Sequence, residues 1–539
     1  MSHPVRVLAT QVDHLAAQHP ELTFAEFLSP PHLEEGDVLS LTYADFKNAI
    51  DRLAWWLKDQ IAQHGLAKFD TILYIGSPDL RYSLMLIAAI KTHVVILFSA
   101  PVNDTTAHLS LMQATNCKAY FYSEEAKDSG LRGSCNVPCI AIPDTASLVD
   151  TTRVPHFPYD KSYDEVANDP VVYYHTSGTT GFPKPVCWTN TTLCLPYLSF
   201  VYTPDLEGRP LHPHYMQVPL TEPRCRILFS MSAFHSSMAL GLLAGVYMHK
   251  LLVIPPMHLP LHEYTPKRMT QFLQHAQFQS LVTFPARVEG ALQDPDYANE
   301  LRKVKYIMFG GAPISPEFGT LFMGQQVKLL NGWGATEVMF PPTFETDHED
   351  WEYLCFHEVA SGFKFQHFDT DRYELVVVRD DSLTKPPQST FKSFPTWTEH
   401  HVKDLFTPHP TKKHHWKFVG RCDNNIILSV GQNINPEAFE VAITKHPLVK
   451  SATMLGTGRP RPCLILELYS YDGMDAQIDT IWPVIEEAFK GRAGYDVLER
   501  SNIILAKQDK PIPLNIKGGI KRPVLYTLYK DEMDACYAE

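Results

Sequence analysis

The 539-residue sequence has no basic surplus: 47 lysines and arginines stand against 60 aspartates and glutamates, a formal net charge of −13. A nucleic-acid-binding surface needs clustered Lys and Arg to neutralise phosphates, so that class of partner is excluded. Any anionic ligand must be held by local groups. A long apolar run is missing as well. The most apolar stretch, RYSLMLIAAIKTHVVILFSAPV, is broken by Lys91 and His93, and no basic-then-apolar leader follows Met1. No membrane association and a cytoplasmic location are therefore expected. Cysteines with metal-ligand spacing are absent: ten are scattered from Cys117 to Cys536, and the close pair Cys135 and Cys139 has no second pair or His cluster beside it. Reduced thiols serving as small core residues are expected. Neither internal repeats nor low-complexity tracts occur.

A chain of this length, with 45% hydrophobic residues, exceeds what one core usually supports, so at least two domains are expected. Residues 38–62, VLSLTYADFKNAIDRLAWWLKDQIA, carry a Thr cap followed by apolar residues at helical spacing. DTILYIGS, HVVILFSAP, KAYFYSE, PCIAIPD and KLLVIPP are short β-rich runs bounded by turn residues. Helical patterns lie between them, so the first 300 or so residues read as alternating βα units with buried, largely parallel sheets. Further on, TPHPTKKHHW has the composition of an exposed connection, and strand, turn, strand and helix patterns follow in quick succession. The division falls near Arg421, giving a large unit of residues 1–420 and a small one of residues 421–539.

The strongest local signal is VVYYHTSGTTGFPKPV, residues 171–186. A β-rich run delivers the chain into Thr176, Ser177, Gly178, Thr179, Thr180 and Gly181, with Lys184 close behind. Glycines allow positive φ and close approach to an anion, while hydroxyls and N–H groups donate to phosphate oxygens. The spacing is not that of a G-x-x-x-x-G-K-[ST] loop, because no Lys-Ser or Lys-Thr follows the last glycine in register.

Further segments follow in order: FGGAPIS (residues 309–315), LLNGWGATEV, HHVKDLF, FVGRCDN and the terminal PIPLNIKGGIKRP. With TSGTTGFPK, they resemble the adenylate-forming superfamily of acyl-CoA synthetases, luciferases and adenylation domains. YELVVVRD, LSVGQNINPEAFE and the ending look most like the adenylation domain of fungal nonribosomal peptide synthetase-like proteins. The resemblance runs almost the full length. It implies a large N-terminal α/β domain with two βα-type sheets and a smaller barrel-like sheet, plus a small mobile α+β C-terminal domain. ATP and magnesium are the implied cofactors.

Residue by residue, the resemblance implies an adenine loop at Gly310, Gly311 and Ala312, and a ring stacking on the base at Trp333, followed by Gly334. Thr336 would touch the α-phosphate and Glu337 would bind magnesium, which takes oxygen ligands and few carboxylates beside nucleotide phosphates. Asp404 would accept from the ribose hydroxyls, although the usual Thr-Gly before it is Val402-Lys403 here. Arg421 would be a second ribose or phosphate contact, Asp423 the hinge, Gly431 part of a thiol tunnel and Lys517 the catalytic cation. A lysine about 4 Å from the reacting oxygens, at an effective dielectric near 20, contributes roughly 4 kcal/mol. Lys521 and Arg522 are the competing cations.

SAFHSSMA bears on the substrate. Amino-acid-activating members carry an Asp after this Phe to pair with the ammonium, and His235 stands there instead. An aryl, α-keto or similar non-amino acid is therefore expected, with Phe234 and His235 beside the reacting carboxylate. The same alignment lines the pocket with Ser236, Ala239, Thr283, Ile307, Phe309, Gly332, Phe340 and Pro341. The expected acceptor is a phosphopantetheine thiol on a separate carrier domain, since the sequence stops where a carrier would begin. Two alternatives stay open: a ligase that loads coenzyme A itself, and a nucleotide-binding scaffold without catalysis, against which Glu337, Asp404 and Lys517 together speak.

Overall fold

The computed structural model describes residues 5–28, 38–101, 103–126, 130–176, 183–220, 224–255, 265–276, 278–311, 314–383, 386–424, 426–428, 433–434, 436–489, 498–514 and 519–537. The runs read as strands are strands, and they sort into two largely parallel sheets. One has six strands in the order Cys139–Ala141, Cys117–Tyr122, Thr71–Ile75, Val95–Phe98, Pro170–Thr176, Lys184–Thr189. All its pairs are parallel except the last, an antiparallel edge hairpin. The other has seven, in the order Lys328–Gly332, Tyr306–Gly310, Ser280–Thr283, Arg226–Ser230, Leu251–Ile254, Thr23–Leu28, Val38–Thr42, again with one antiparallel edge pair.

Strand alternation assigns side chains to opposite faces. Ile227, Phe229 and Met308 of the seven-stranded sheet share one apolar cluster with Tyr74, Phe98 and Val172 of the six-stranded sheet, so a single core spans both. Leu228, Ile307 and Phe309 face the other way, into a cluster with Phe318, Phe322 and Trp351. The helix Ser236–Val246 is buried along its whole length, as an all-round apolar helix must be. The helix Tyr43–His64 starts where the sequence placed its cap: Thr42 accepts from the Asp45 N–H at 3.1 Å, and Gly65 ends it at φ 66°.

A third, antiparallel sheet of six strands runs in the order Thr343–Phe344, Tyr353–Phe356, His415–Arg421, Glu399–Pro408, Arg372–Val378, Phe363–Asp369. Its outer two strands are not hydrogen-bonded to each other among the described residues. TPHPTKKHHW proves to be the turn of a hairpin inside this sheet, joining Glu399–Pro408 to His415–Arg421. Pro408, Pro410, Thr411 and Lys413 are exposed, but His415 is buried and the stretch lies within the sheet. Beyond Arg421 come the short pair Ile426–Ile427 and Asn433–Ile434, then a sheet of Val449–Leu455, Cys463–Leu468 and Ile503–Leu505. Leu464 and Leu466 pack on one face with Ile443, Ile481 and Ile485, while Cys463 and Ile465 pack on the other with Leu525, Tyr529 and Met533.

The apolar stretch that begins at Arg81 is a helix, Arg81–Thr92, followed by a buried strand, and no described helix is long and apolar enough to cross a membrane. Lys91, the residue that breaks the run, is fully buried and bonds Asp13 and Asp51 at 2.8 Å each. Asp51 also meets Lys47 at 2.5 Å and His156 at 3.2 Å. Asp13, Asp51 and His156 each bring a possible ligand atom within 4.8 Å of the others, but the Lys91 ammonium already bonds both carboxylates. All ten cysteines are free, and the Sγ atoms of Cys135 and Cys139 lie 3.3 Å apart.

Two adjacent strands of the seven-stranded sheet end on glycine, Gly310 opposite Gly332. A Cβ on Gly310 would lie 2.3 Å from the Gly332 carbonyl oxygen, and one on Gly332 would lie 2.5 Å from the Met308 Cε. Gly311 takes φ 83°, a value that suits glycine. Gly310 and Gly311 thus answer to the backbone, and Gly332 to the Met308 side chain.

Two outcomes follow from this packing. Lys91→Met leaves Asp13 without its cation and should lower the unfolding free energy by about 3 kcal/mol; a denaturant-unfolding curve matching the parent would contradict the buried compensation. Gly310→Ala, which must push against backbone rather than a side-chain tip, should lower the thermal midpoint and the yield of folded protein. Parent-like melting of Gly310→Ala would show that the two strand ends can part without cost.

Candidate active site

Thr176 is the last residue of the strand Pro170–Thr176, next to the sheet edge, and Lys184 is its cross-strand partner at the start of Lys184–Thr189. Ser177, Gly178, Thr179, Thr180 and Gly181 lie outside the described residues, as do Ala312, Gly431 and Lys517.

The residues that are described converge from all three large sheets. The Thr176 hydroxyl donates to a Glu337 carboxylate oxygen at 3.1 Å. Next to Glu337, the Thr336 hydroxyl lies 3.3 Å from that of Ser236, and the Thr336 carbonyl accepts from the buried Trp188 indole at 2.8 Å. Three residues earlier, Trp333 donates its indole N–H to one Asp404 oxygen at 2.7 Å, while the Arg421 guanidinium binds the other at 2.7 Å. Asp404 and Arg421 are register partners on the hairpin of the third sheet, which is why their spacing matters. Gly334 admits no side chain, since a Cβ there would lie 2.7 Å from the Met339 carbonyl oxygen.

Asp404 is 7% exposed, and its two donors offset the cost of burying a carboxylate. Lys403 before it holds φ 71°, a left-handed value uncommon outside glycine. That is the conformation a glycine at this position accommodates freely. Glu337 is half-buried, with one hydroxyl donor and His400 nearby. Burial pushes the His400 imidazole below its ordinary pKa, and the Glu337 charge partly opposes this. A single carboxylate with a hydroxyl beside it is an oxygen-donor set of the kind a hard divalent cation accepts.

His235 caps the helix Ser236–Val246, accepting the Ser237 N–H on Nδ1 at 3.1 Å. With Nδ1 an acceptor, the neutral ring carries its proton on Nε2. Phe234, Ala239 and Phe340 pack in the large central cluster together with Met308, Leu330 and Met339. The Pro341 carbonyl accepts from Tyr215 at 2.8 Å.

Ile307 and Phe309 are not brought to that wall: they lie in the cluster on the opposite face, Phe309 against Trp351 at 6.1 Å. Fully buried Thr283 pairs with Phe309 and Ser230. Strand alternation turns Met308 to the face whose cluster also holds Phe234 and Ala239, a signal present in the sequence. Trp188, outside every motif, and His400, within HHVKDLF but given no role there, are neighbours of the site. Arg522 leaves the list of candidate cations, because both its terminal nitrogens bind Glu440 and one also donates to the Met454 carbonyl. Lys521 is exposed and Asp423 lies in the short turn Cys422–Asn424.

The AMP-binding enzyme family matches residues 12–355, and the AMP-binding enzyme C-terminal domain matches residues 423–539. The carboxylic acid reductase of Neurospora crassa is 30% identical over 93% of this chain and 47% of its own length. The isocyanide synthase-NRPS hybrid crmA of Aspergillus fumigatus is 30% identical over 99% of this chain and 33% of its own. The chain thus spans between a third and a half of the length of these relatives. Among solved structures, the anthranilate CoA ligase AuaEII, in complex with anthranoyl-AMP, superposes with a TM-score of 0.71 at 12% identity, covering 98% of both chains. With a family match over more than half its length and the mixed α/β fold of such enzymes, the chain belongs to the AMP-binding, adenylate-forming enzyme family.

Proposed function

We propose that the chain activates a non-amino carboxylic acid with ATP, forming an acyl-AMP, and passes the acyl group to a phosphopantetheine thiol. The observation that carries this reading is the set of hydrogen bonds at one end of the sheets, in which Thr176 meets Glu337, Thr336 meets Ser236, and Trp333 and Arg421 meet Asp404. Residues far apart in sequence thereby surround one place. The names of relatives agree with it: a carboxylic acid reductase acts on acids, and the ligase AuaEII binds an acyl adenylate.

In this reading the substrate carboxylate oxygen bonds to the α-phosphorus of ATP as the bond to the bridging oxygen breaks, and pyrophosphate leaves. The loop of Ser177, Gly178, Thr179, Thr180 and Gly181, with Lys184 at its far end, holds the phosphates, and Thr336 sits at the α-phosphate. Gly310, Gly311 and Ala312 border the adenine, and Asp404 with Arg421 takes the ribose. Glu337 would hold a magnesium ion, which supplies positive charge between phosphate oxygens. Lys517 brings its cation to the reacting oxygens. His235, with its proton on Nε2, donates to the acid's carboxylate, and Phe234, Ser236, Ala239, Phe340 and Pro341 shape the space beyond.

No carboxylate stands at His235 to accept a buried ammonium, which favours aryl, α-keto or related acids over α-amino acids. Residues 1–420 and 421–539 act as two units that turn about Asp423, so that Lys517 serves the first step and the stretch around Gly431 the second. A carrier domain is the favoured acceptor, because a relative is an NRPS hybrid; coenzyme A is the second candidate.

The test is pyrophosphate release across a panel of aryl, keto, fatty and amino acids, with Lys517→Ala and Glu337→Gln beside the parent. Lys517→Ala should lower acyl-AMP formation by roughly 100-fold or more, and Glu337→Gln should shift the magnesium dependence to higher concentration. If the parent releases pyrophosphate with no acid of the panel, adenylation is ruled out. If Lys517→Ala equals the parent, the lysine leaves the mechanism. Offering a preformed acyl-AMP to coenzyme A and to a phosphopantetheinylated carrier decides the acceptor.

A further inference from the structure

We propose that Trp333 is a positioning residue for the Asp404 carboxylate, acting through its indole N–H. The inference rests on the reading of Asp404 as the ribose-binding group. Trp333 is only 8% exposed. It lies in the core of the third sheet with Val338, Leu354, Leu375 and Val402. Phe356, Phe363 and Phe406 stand nearly perpendicular to it, with centroids 5.9, 6.0 and 5.9 Å away. The one polar atom of the Trp333 ring is committed: indole can only donate, and the donor is 2.7 Å from Asp404 Oδ2.

Asp404 is thereby held by two donors on different oxygens, the indole on Oδ2 and Arg421 on Oδ1. One donor leaves a carboxylate free to turn about its last torsion, whereas two fix the plane. Arg421 is 40% exposed and comes from the neighbouring strand, while the indole is buried and comes from the end of the seven-stranded sheet. The buried, charge-assisted bond is the less replaceable of the two. The left-handed backbone at Lys403 fits the same picture, since strain persists where surrounding contacts over-determine a position.

The experiment measures equilibrium binding of ATP and of 2′,3′-dideoxyATP to the full chain, to Trp333→Phe, and to the chain carrying 3-benzothienylalanine at position 333. The benzothienyl analogue keeps the bicyclic shape, replaces N–H by sulfur, and decides the matter if the phenylalanine variant folds poorly. Loss of the donor should weaken ATP binding roughly tenfold, the scale of a hydrogen bond to a charged group. The penalty should vanish with 2′,3′-dideoxyATP, which has no hydroxyls for Asp404 to grip. An equal penalty with both nucleotides would mean that the ring acts on the base and would overturn the proposal. Parent-like binding of ATP by the benzothienyl chain would overturn it too. A parent chain that binds ATP and the dideoxy analogue equally tells against the ribose role of Asp404 itself, and one that binds neither tells against the adenylation reading. These outcomes separate the two failures.

Discussion

A buried carboxylate must be met by donors or it costs more than its surroundings return, and Asp404 is where this chain meets that constraint. Its two partners come from different sheets. Trp333 follows the edge strand Lys328–Gly332 of the seven-stranded sheet, and Arg421 closes the hairpin of the antiparallel sheet. The carboxylate therefore joins two layers that otherwise have separate apolar clusters. From that joint the run Gly334 to Glu337 turns toward the strand that carries Thr176, so the position of Glu337 depends on how Asp404 is held.

Much of the frame was legible because it follows from short-range rules. Thr42 and Gly65 bracket a helix for reasons local to those residues. The strands are apolar runs between turn residues, and their parallel order follows from the helices between them. What was not legible depends on faces and partners. The alignment put Ile307 and Phe309 in the pocket, yet a strand offers alternate residues to alternate faces, and Met308 shares the cluster with Phe234 and Ala239. The stretch TPHPTKKHHW has a linker's composition because a hairpin tip in water has the same needs as a linker. Glycines 310 and 332 looked like room for a ligand, whereas the contact that forbids a side chain at Gly310 is a neighbouring backbone oxygen. Trp188 and His400 were invisible because nothing local ties them to Thr336 or Glu337; only the folded chain brings them near.

Charge is handled locally throughout, as a net-acidic chain requires. Lys91 is compensated inside the core by Asp13 and Asp51, and Arg522 by Glu440. This pairing removes Arg522 from the pool that could meet a phosphate.

The lysine at position 403 carries a lesson about how such chains are recognised. Its backbone adopts the left-handed turn that a glycine would take freely, and its ammonium lies 3.7 Å from Glu374. The glycine usual at this place thus reflects a shape the main chain must take, and a different letter can satisfy it at some conformational expense. Comparisons that score this position by identity alone will rank divergent members too low, so sorting them by backbone geometry is the sounder criterion.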